Sequence, residues 1–516
     1  MSQATETSPR KRKGLLNRFL DVVEWGGNKL PDPIIIFAVL CGLILVASAI
    51  SALAGVQATH PATGEVVEAV NLLDREGLGR IFSEAARNFG TFPALGMVLV
   101  VMLGIGVAER TGWFEVMLQN AVVKAPRILI IPAIAFIGLL GNVAGDAAPI
   151  VLPPLAAMIF IKMGWHPIAG IALAYASALG GFAANFILGM SDALVQVFTQ
   201  PAAELIDPTI QTNVAMNWYF IAASVLFLLP IIWVVTSKIT VPRLGAYEMA
   251  EQVGDVSPVG ITAQQRRALR WANIAVLLVI VALVVGSLPQ NSFLRNAETG
   301  SLVNDSPLMN GVGLILAIFF LIPGLVYGIL AGTIKSGGDV TRMMVDSMAS
   351  MANFIVIVFF AAQMLAYFGW SNLGTIIAIK GAQLLEGQSG VTIIIGIIVL
   401  SSIVNLFIGS ASAKWAILAP IFVPMMMLLG YHPAFTQMMY RIGDAITNPI
   451  TPMLPYFALV LSYAQRYDKK LGMGTLISTL LPYSIAMGIG WTLFMVVWYL
   501  LGWPLGIDGP LMLPGN

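Results

Sequence analysis

The chain has 516 residues, of which 58% are hydrophobic and only 10% charged, against about 25% charged in an average soluble protein. Its 27 Lys and Arg residues balance 26 Asp and Glu residues, so no overall field indicates binding to nucleic acid or another polyion. A single cysteine, Cys41, excludes a disulfide framework and a cysteine-based zinc site. Three histidines without an H-E-x-x-H motif argue against a metalloenzyme, and no cofactor is expected.

Seven apolar stretches are long enough to cross a bilayer, which takes about 20 helical residues. They lie at 33–55, 91–109, 217–237, 271–288, 308–333, 351–370 and 474–503. Residues 1–32 carry six basic residues and no apolar core. They therefore predict a cytoplasmic N-terminal arm and not a cleavable signal peptide.

Loop charges predict the orientation, because cytoplasmic loops are rich in Lys and Arg. The basic loops are 110–127, 238–270 and 466–470. Segment 198–216 and the tail after Trp503 contain acidic residues and no basic ones. The N-terminus is therefore expected inside and the C-terminus outside.

Two regions, 127–197 and 391–465, hold too many Gly, Pro and polar residues for simple spans. Each must cross the membrane an odd number of times, and a re-entrant hairpin followed by one crossing fits best. The hairpins are predicted at 127–163, turning at 142–149, and at 391–430, turning at 409–415. The resulting fold is an all-α membrane protein with nine spans and two hairpins.

The chain then divides into six segments. Residues 1–32 form the arm, 33–125 the first scaffold helices, and 126–197 the first hairpin with its broken helix. Residues 198–390 form further scaffold helices and loops, 391–465 the second hairpin with its broken helix, and 466–516 the last helix and an external C-terminus.

An internal repeat relates the two hairpin regions at an offset of 266 residues. The matches are Ala147/Ala413, Leu152/Leu418, Pro154/Pro420, Gly164/Gly430, His166/His432 and Pro167/Pro433, with Trp165 opposite Tyr431. Five predicted crossings separate the copies, and an odd number inverts the second copy. Inverted repeats with discontinuous helices are typical of secondary transporters, whose broken helices line a binding site near the bilayer midplane.

Charged residues inside membrane segments are functional candidates, because their insertion is costly. The candidates are Asp146 and Lys414 at the hairpin tips, Asp192 late in the helix after the first hairpin, Arg441 and Asp444 after the second, and Glu109 at a span end. Glu109 is best explained as interfacial.

Two interpretations of Arg441 and Asp444 are open. Their i,i+3 spacing fits a self-neutralising pair on one helix face. Alternatively, Arg441 offers a bidentate fork to an anionic or sulfonyl cargo while Asp444 exchanges protons. The segment from Thr447 to Pro452, which includes Asn448, follows directly, and its prolines predict a helix break that frees backbone carbonyls.

The equivalent break in the first copy is Gly180 to Asn185, before Asp192. Asp192 has no basic neighbour in sequence, so it is either a buried proton carrier or a solvated acid at the outer interface. Trp415 could stack on an aromatic cargo or anchor at the interface. Asn142, Asn185, Asn405, Ser410 and Ser412 could contact Na⁺ or cargo, or serve helix packing, whereas His166 and His432 fit structural caps better than proton relays.

These residues resemble the AbgT family of p-aminobenzoyl-glutamate transporters and antimetabolite exporters. The resemblance covers nearly the whole chain and rests on SASAKWAILAPIFVPM at 410–425, YRIGDAITNPITPMLPY at 440–456 and GNVAGDAAPIVLPPLAAMIF at 141–160. It implies a homodimer in the bacterial inner membrane that exports sulfonamides by the proton motive force and handles p-aminobenzoyl-glutamate.

The same resemblance implies roles for individual residues. Asp192 and Asp444 would make proton or polar contacts, Arg441 would contact the anion, and Trp415 would hold the aryl group, with Ser412 also handling cargo and Pro433 and Pro452 shaping the broken helix. A weaker resemblance to Na⁺-coupled dicarboxylate carriers suggests Na⁺ at the tips, near Asn142, Ser410 and Ser412. The tips lack the Ser-Asn-Thr sequences of those carriers, which disfavours sodium.

Two other classes of protein compete with a carrier. An intramembrane aspartyl protease would need a glycine where Arg441 stands, so an enzyme is disfavoured. A channel is disfavoured because inverted hairpins suit alternating access. The sequence therefore favours a carrier of a small aryl anion or sulfonamide within the lipid bilayer, with H⁺ preferred to Na⁺ as the coupling ion.

Overall fold

The computed structural model describes residues 33–59, 64–92, 95–123, 129–141, 147–247, 261–302, 306–452 and 454–513. The predicted N-terminal arm, Asn142 and Asp146 lie outside the described residues, as does most of the predicted turn of the first hairpin. Within them the structure is almost entirely helical, apart from a small antiparallel ribbon of β1 (Gln57–Thr59) and β2 (Val66–Glu68).

In its described part, the first half of the chain holds nine helices before residue 236. They are α1 (Pro33–Leu53), α2 (Arg75–Gly90), α3 (Leu95–Arg110), α4 (Trp113–Val123), α5 (Ile130–Leu140), α6 (Ala147–Lys162), α7 (Pro167–Gly180), α8 (Met190–Ala203) and α9 (Trp218–Val235). A π-helical turn at Thr236–Thr240 and the short α10 (Val241–Leu244) continue α9.

The described helices of the second half begin with α11 (Ala263–Ser287), α12 (Pro307–Asn310), α13 (Val312–Ala331), α14 (Gly337–Ser350), α15 (Ala352–Trp370) and α16 (Leu373–Leu385). They continue with α17 (Gly390–Asn405), α18 (Ala411–Leu428), α19 (Pro433–Thr447), a 3₁₀ turn at Asn448–Ile450, α20 (Pro455–Gln465) and α21 (Met473–Leu500).

Six of the described helices are long and apolar enough to span a membrane, or seven if the bent pair α14 and α15 is one span. They include the predicted spans at 33–55, 217–237, 271–288, 308–333 and 474–503, and the bent pair covers 351–370. The predicted span 91–109 corresponds to the 16-residue α3, and α18 also qualifies by length. The helices beside the basic loop 238–270 extend into it, because α9 continues to Leu244 and α11 begins at Ala263.

The order of the helices recurs at the offset of about 266 residues that relates the sequence motifs, and the starts of α6, α7 and α8 recur to within two residues. Helices α5 to α9 correspond in order to α17 to α21. The loops correspond as well, because Trp165 forms an isolated β-bridge with Ala246 and Tyr431 forms one with Met512. Gly164 and Gly430 both have positive φ, at 76° and 88°. The repeat therefore extends further along the chain than its sequence identities do.

Each copy contains the predicted helix break. Helix α7 ends at Gly180 and α8 begins at Met190, while α19 ends at Thr447 and α20 begins at Pro455. The turn predicted at 409–415 begins within the observed one at 406–410 but extends too far, because α18 starts at Ala411 and Ser410 is its N-cap. Ser410 accepts the Ala413 N–H, a standard N-cap that the sequence already encodes.

The two copies pack through their broken helices. Helix α8 of the first copy packs on α18 of the second, and α20 of the second packs on α6 of the first. A core of buried apolar side chains from both copies surrounds these contacts. The N-terminal end of α8 is thereby placed beside the middle of α19.

Candidate functional site

Four charged side chains are buried together where the two copies meet. Asp192, Lys414, Arg441 and Asp444 are the Asp, Glu, Lys and Arg residues with less than a tenth of their surface exposed in the described part of the chain, and Lys414 is fully buried. They form two ion pairs and carry no net charge. Burial of charges is costly even when they are paired, so this cluster is the candidate site.

The first ion pair joins the two copies. Arg441 Nη1 of α19 lies 2.7 Å from Asp192 Oδ1 of α8. The other oxygen, Asp192 Oδ2, accepts the backbone N–H of Gly189 at 2.7 Å and so caps the first turn of α8. A carboxylate at this position also interacts favourably with the helix dipole, so Asp192 is held from two sides.

This geometry corrects the sequence interpretation of Asp192. The residue lies in the first turn of α8 and not late in the helix. It is 3% exposed and paired with Arg441, so it is neither isolated nor a solvated interfacial acid. The basic partner was missed because it lies about 250 residues away in the other copy.

The second ion pair lies within the second copy. Lys414 Nζ is 2.5 Å from Asp444 Oδ1 and also donates to Asn405 Oδ1. Arg441 and Asp444 therefore pair with different partners, so the self-neutralising pair expected from their spacing is wrong. Helix α19 instead presents a cation and an anion to two other helices.

Asn405 connects the charge pair to the break in the helix. Its Nδ2 lies 2.7 Å from the carbonyl oxygen of Asp444, 2.8 Å from Thr447 Oγ1 and 2.9 Å from Asn448 Oδ1. The carbonyl of Thr447 accepts the hydroxyl of Thr451. Side chains thus satisfy carbonyls that the break leaves without helical partners, as an apolar environment requires.

A glycine allows this close approach. A Cβ at Gly443 would lie 2.5 Å from the carbonyl oxygen of Ile398 and 2.7 Å from Ser401 Cβ. Any larger residue would push α19 away from α17. Gly443 therefore keeps Asn405, at the end of α17, within reach of the α19 backbone.

Trp415 follows Lys414 into the same buried layer. Its ring stacks on Tyr440 with 4.5 Å between centroids, and its Nε1 donates to Thr199 Oγ1 at 2.9 Å. Thr199 also accepts Gln437 Nε2, and Gln437 accepts Asn217 Nδ2. Trp415 is fully buried, so it is not an interfacial anchor, and in this conformation its aromatic partner is Tyr440.

The remaining candidate residues lie around the cluster. Asn448 Nδ2 is 3.4 Å from Asp444 Oδ2, Pro433 opens α19, and Pro452 lies between the 3₁₀ turn and α20. Ser410 and Ser412 are half-buried, and their Oγ atoms lie 3.3 Å apart. Thr199, Gln437 and Tyr440 were missed, because uncharged residues inside a helix carry no signal in one sequence.

The two histidines at equivalent positions of the repeat, His166 and His432, are helix caps. Nδ1 of His166 accepts the Ile168 N–H, and Nδ1 of His432 accepts the Ala434 N–H. Burial lowers the pKa of His166, although Asp468 raises it, and burial lowers the pKa of His432 to about 4. A neutral imidazole is required for this capping bond, which agrees with the structural role predicted for both.

Two cavities adjoin the first copy. One of about 480 Å³ is almost wholly apolar and is lined by Trp113, Phe136, Phe320 and the amides Asn185 and Asn273 among others. The other, of about 910 Å³, has a mixed polar and apolar lining that includes Arg110, Arg266 and Tyr463. Ligand cavities commonly have such volumes. No group of three or more His, Cys, Asp or Glu side chains that could hold a metal ion occurs in the described ranges.

Comparisons with known proteins agree with this architecture. The model of the AbgT putative transporter family matches residues 18–513. The p-aminobenzoyl-glutamate transport protein of Escherichia coli (strain K12) is 38% identical over 486 residues, which are 94% of this chain and 95% of that protein.

Two solved transporter structures are similar over nearly the whole chain. The Alcanivorax borkumensis YdaH transporter has a TM-score of 0.87 and 41% identity, over 92% of this chain and all of that one. Neisseria gonorrhoeae MtrF, described with a class of antimetabolite efflux pumps, has a TM-score of 0.89 and 39% identity, over 96% of this chain and all of that one.

Proposed function

The chain belongs to the AbgT transporter family, and we propose that it is a proton-motive-force-driven carrier that exports sulfonamide antimetabolites, transports p-aminobenzoyl-glutamate, or does both. It is a multi-pass membrane transporter, and its relatives are transporters and not enzymes. One relative is named for p-aminobenzoyl-glutamate and another is described with antimetabolite efflux, which supports this choice of cargo.

The observation that carries the proposal is the buried charge cluster. Buried ion pairs contribute little to stability compared with apolar packing of the same volume, so four such charges at a helix break indicate a role in transport. Arg441 is suited to an anionic or sulfonyl group, because its planar guanidinium group can donate two hydrogen bonds to two oxygens of the same group. Asp192 and Asp444 supply carboxyl groups for proton exchange or polar contact, and Trp415 supplies an aryl surface.

The proposed membrane arrangement follows the sequence charges. We assign nine spans and two re-entrant hairpins in an inverted repeat, with the N-terminus in the cytoplasm and the C-terminus in the periplasm of a bacterial inner membrane. The pairing of α8 with α18 and of α20 with α6 supports a symmetric exchange of elements between the copies. A homodimer is the proposed assembly.

The test is transport by the purified protein in liposomes. Labelled sulfonamide and labelled p-aminobenzoyl-glutamate are followed under an imposed pH gradient, and then under a Na⁺ gradient at clamped pH. We expect the pH gradient to drive accumulation and the Asp192→Ala and Asp444→Ala variants to abolish it. The exposed Asp508, at φ 49°, offers a matched control in Asp508→Asn, since Asn tolerates that backbone.

Three outcomes would overturn parts of the proposal. Accumulation driven by Na⁺ alone would replace the proton with sodium and favour the dicarboxylate-carrier alternative. Aliphatic dicarboxylates competing better than aryl compounds would refute the cargo class, as would unchanged cargo affinity in Arg441→Ala and Trp415→Ala.

A further inference from the structure

We infer that Asp444 is the carboxyl group that takes up the coupled proton, and that its protonation releases Lys414 to bind the carboxylate of the cargo. Asp192 stays ionised throughout and holds Arg441. The inference rests on the part of the proposed function that concerns p-aminobenzoyl-glutamate, with proton and cargo moving in the same direction, and it assigns different roles to two acids that the sequence could not tell apart. It also gives Lys414 a role as a second cationic contact.

The two acids differ in what stabilises their negative charge. Asp192 is in the first turn of α8 and accepts a backbone N–H at 2.7 Å, so protonation would weaken both the cap and the interaction with the helix dipole. Asp444 lies in the last turn of α19, where the dipole disfavours an anion. Apart from Lys414, its nearest donor in the described ranges is Asn448 Nδ2 at 3.4 Å.

The cations that pair with the two acids also differ, because Arg441 is fixed to Asp192 whereas Lys414 can exchange Asp444 for another anion. Arg441 is a permanent cation whose pairing with Asp192 joins the two copies. Lys414 Nζ is a point charge with three donors, two of which contact Asp444 Oδ1 and Asn405 Oδ1. A cargo carboxylate can take the place of Asp444 on Lys414 while Asn405 continues to orient the ammonium group.

Charge balance requires a proton to accompany the anion. The cluster has two anions and two cations, all at most 5% exposed, and a cargo carboxylate entering it would leave one buried negative charge without a partner. Protonation of Asp444 removes that excess, because the cargo carboxylate then replaces the charge that Asp444 has lost. One proton is therefore expected for each carboxylate that enters the cluster.

Other titratable groups near Asp444 do not offer an alternative proton site of the same kind. Arg441 and the phenol of Tyr440 lie on its own helix, and Lys414 lies on α18. Asp192 faces Arg441 from α8, and the Tyr483 hydroxyl of α21 bonds to Thr236. Helix α17 contributes the neutral Asn405.

The experiment measures proton uptake on cargo binding. Purified full-length protein is titrated with p-aminobenzoyl-glutamate by calorimetry, in buffers of different ionisation enthalpy and at several pH values. For the wild type we expect uptake of about one proton per molecule bound, and an affinity that falls about tenfold per pH unit on the alkaline side. Asp444→Asn should bind without proton uptake and with little pH dependence, because its Lys414 is already free.

Two further variants separate this assignment from its alternatives. Asp192→Asn should bind cargo and keep the uptake of one proton, and Lys414→Gln should weaken cargo binding at every pH, with partial recovery in Lys414→Arg. Proton uptake that persists in Asp444→Asn and disappears in Asp192→Asn would overturn the inference while leaving the carrier intact. Absence of both sulfonamide and p-aminobenzoyl-glutamate transport in the wild type would instead refute the proposed function.

Discussion

Breaking the ion pair between the two copies gives the sharpest test of the site geometry. Arg441→Gln leaves the Asp192 carboxylate 3% exposed and without its cation. Removing one partner of a buried pair costs about 3–5 kcal/mol. The melting entropy of about 2.1 cal/mol/K per residue gives roughly 1.1 kcal/mol/K for 516 residues. The melting temperature should therefore fall by about 3–5 °C.

The assay is thermal unfolding of the purified protein in detergent, followed by intrinsic tryptophan fluorescence. Asp192→Asn should also lower the free energy of unfolding. The double variant should lose less of this free energy than the two single variants lose together, and the difference should be about 0.5–3 kcal/mol. The exposed pair Arg87 and Glu84 provides a control, since Arg87→Gln should change stability by less than about 1 kcal/mol. Strict additivity of the Asp192 and Arg441 losses would refute the pairing.

Three further predictions concern the surroundings of the cluster. Gly443→Ala should lower the free energy of unfolding by about 1–3 kcal/mol in the same assay, because its Cβ would lie 2.5 Å from the Ile398 carbonyl oxygen. Gly396 on α17 has open space around it, so Gly396→Ala should be neutral or stabilising. Equal effects of the two substitutions would contradict the close approach at Gly443. Trp415→Phe removes the hydrogen bond to Thr199 and should lower the free energy of unfolding by about 0.5–1.5 kcal/mol. Trp415→Ala also removes the stacking on Tyr440 and should lower it by about 3–5 kcal/mol. Similar melting temperatures for the two variants would argue against that stacking. The pKa of His432 is lowered from 6.5 to about 4, so the unfolded chain binds a proton that the folded chain excludes. Stability should therefore decline by up to about 3 kcal/mol as pH falls from 6.5 to 4, and His432→Asn, which keeps a cap, should reduce that decline; an unchanged pH profile would contradict it.

The long apolar segments and the helix breaks were readable from the sequence. A run of apolar residues at 474–503 has few alternatives to a membrane helix, and α21 occupies most of it. Pro449 and Pro452 cannot donate helical hydrogen bonds, and α19 ends just before them. The matching sequences Gly-Trp-His-Pro at 164–167 and Gly-Tyr-His-Pro at 430–433 both lead into capped helix starts. These features depend on local chemistry, which the sequence carries directly.

Local spacing was misleading for the charged residues. Arg441 and Asp444 lie three residues apart and would pair on an isolated helix, yet each contacts a different helix in the protein. The turn predicted for the second hairpin was placed too late because residues 411–415 were taken as part of it, whereas they begin α18. The first error arises because tertiary packing offers each charge a better partner than its sequence neighbour does. The second concerns a local N-cap, in which Ser410 accepts the N–H of Ala413 three residues later.

The sequence by itself determined the class of protein, the apolar segments and the positions of the helix breaks, and it singled out Asp192, Arg441 and Asp444 as candidates. Only the tertiary structure decided which charges neutralise one another. Pairing in a buried site depends on distances of a few ångströms between α8, α18 and α19, and those distances follow from how two distant copies pack. A carboxylate such as Asp192 therefore looks isolated in the sequence and is paired in the fold.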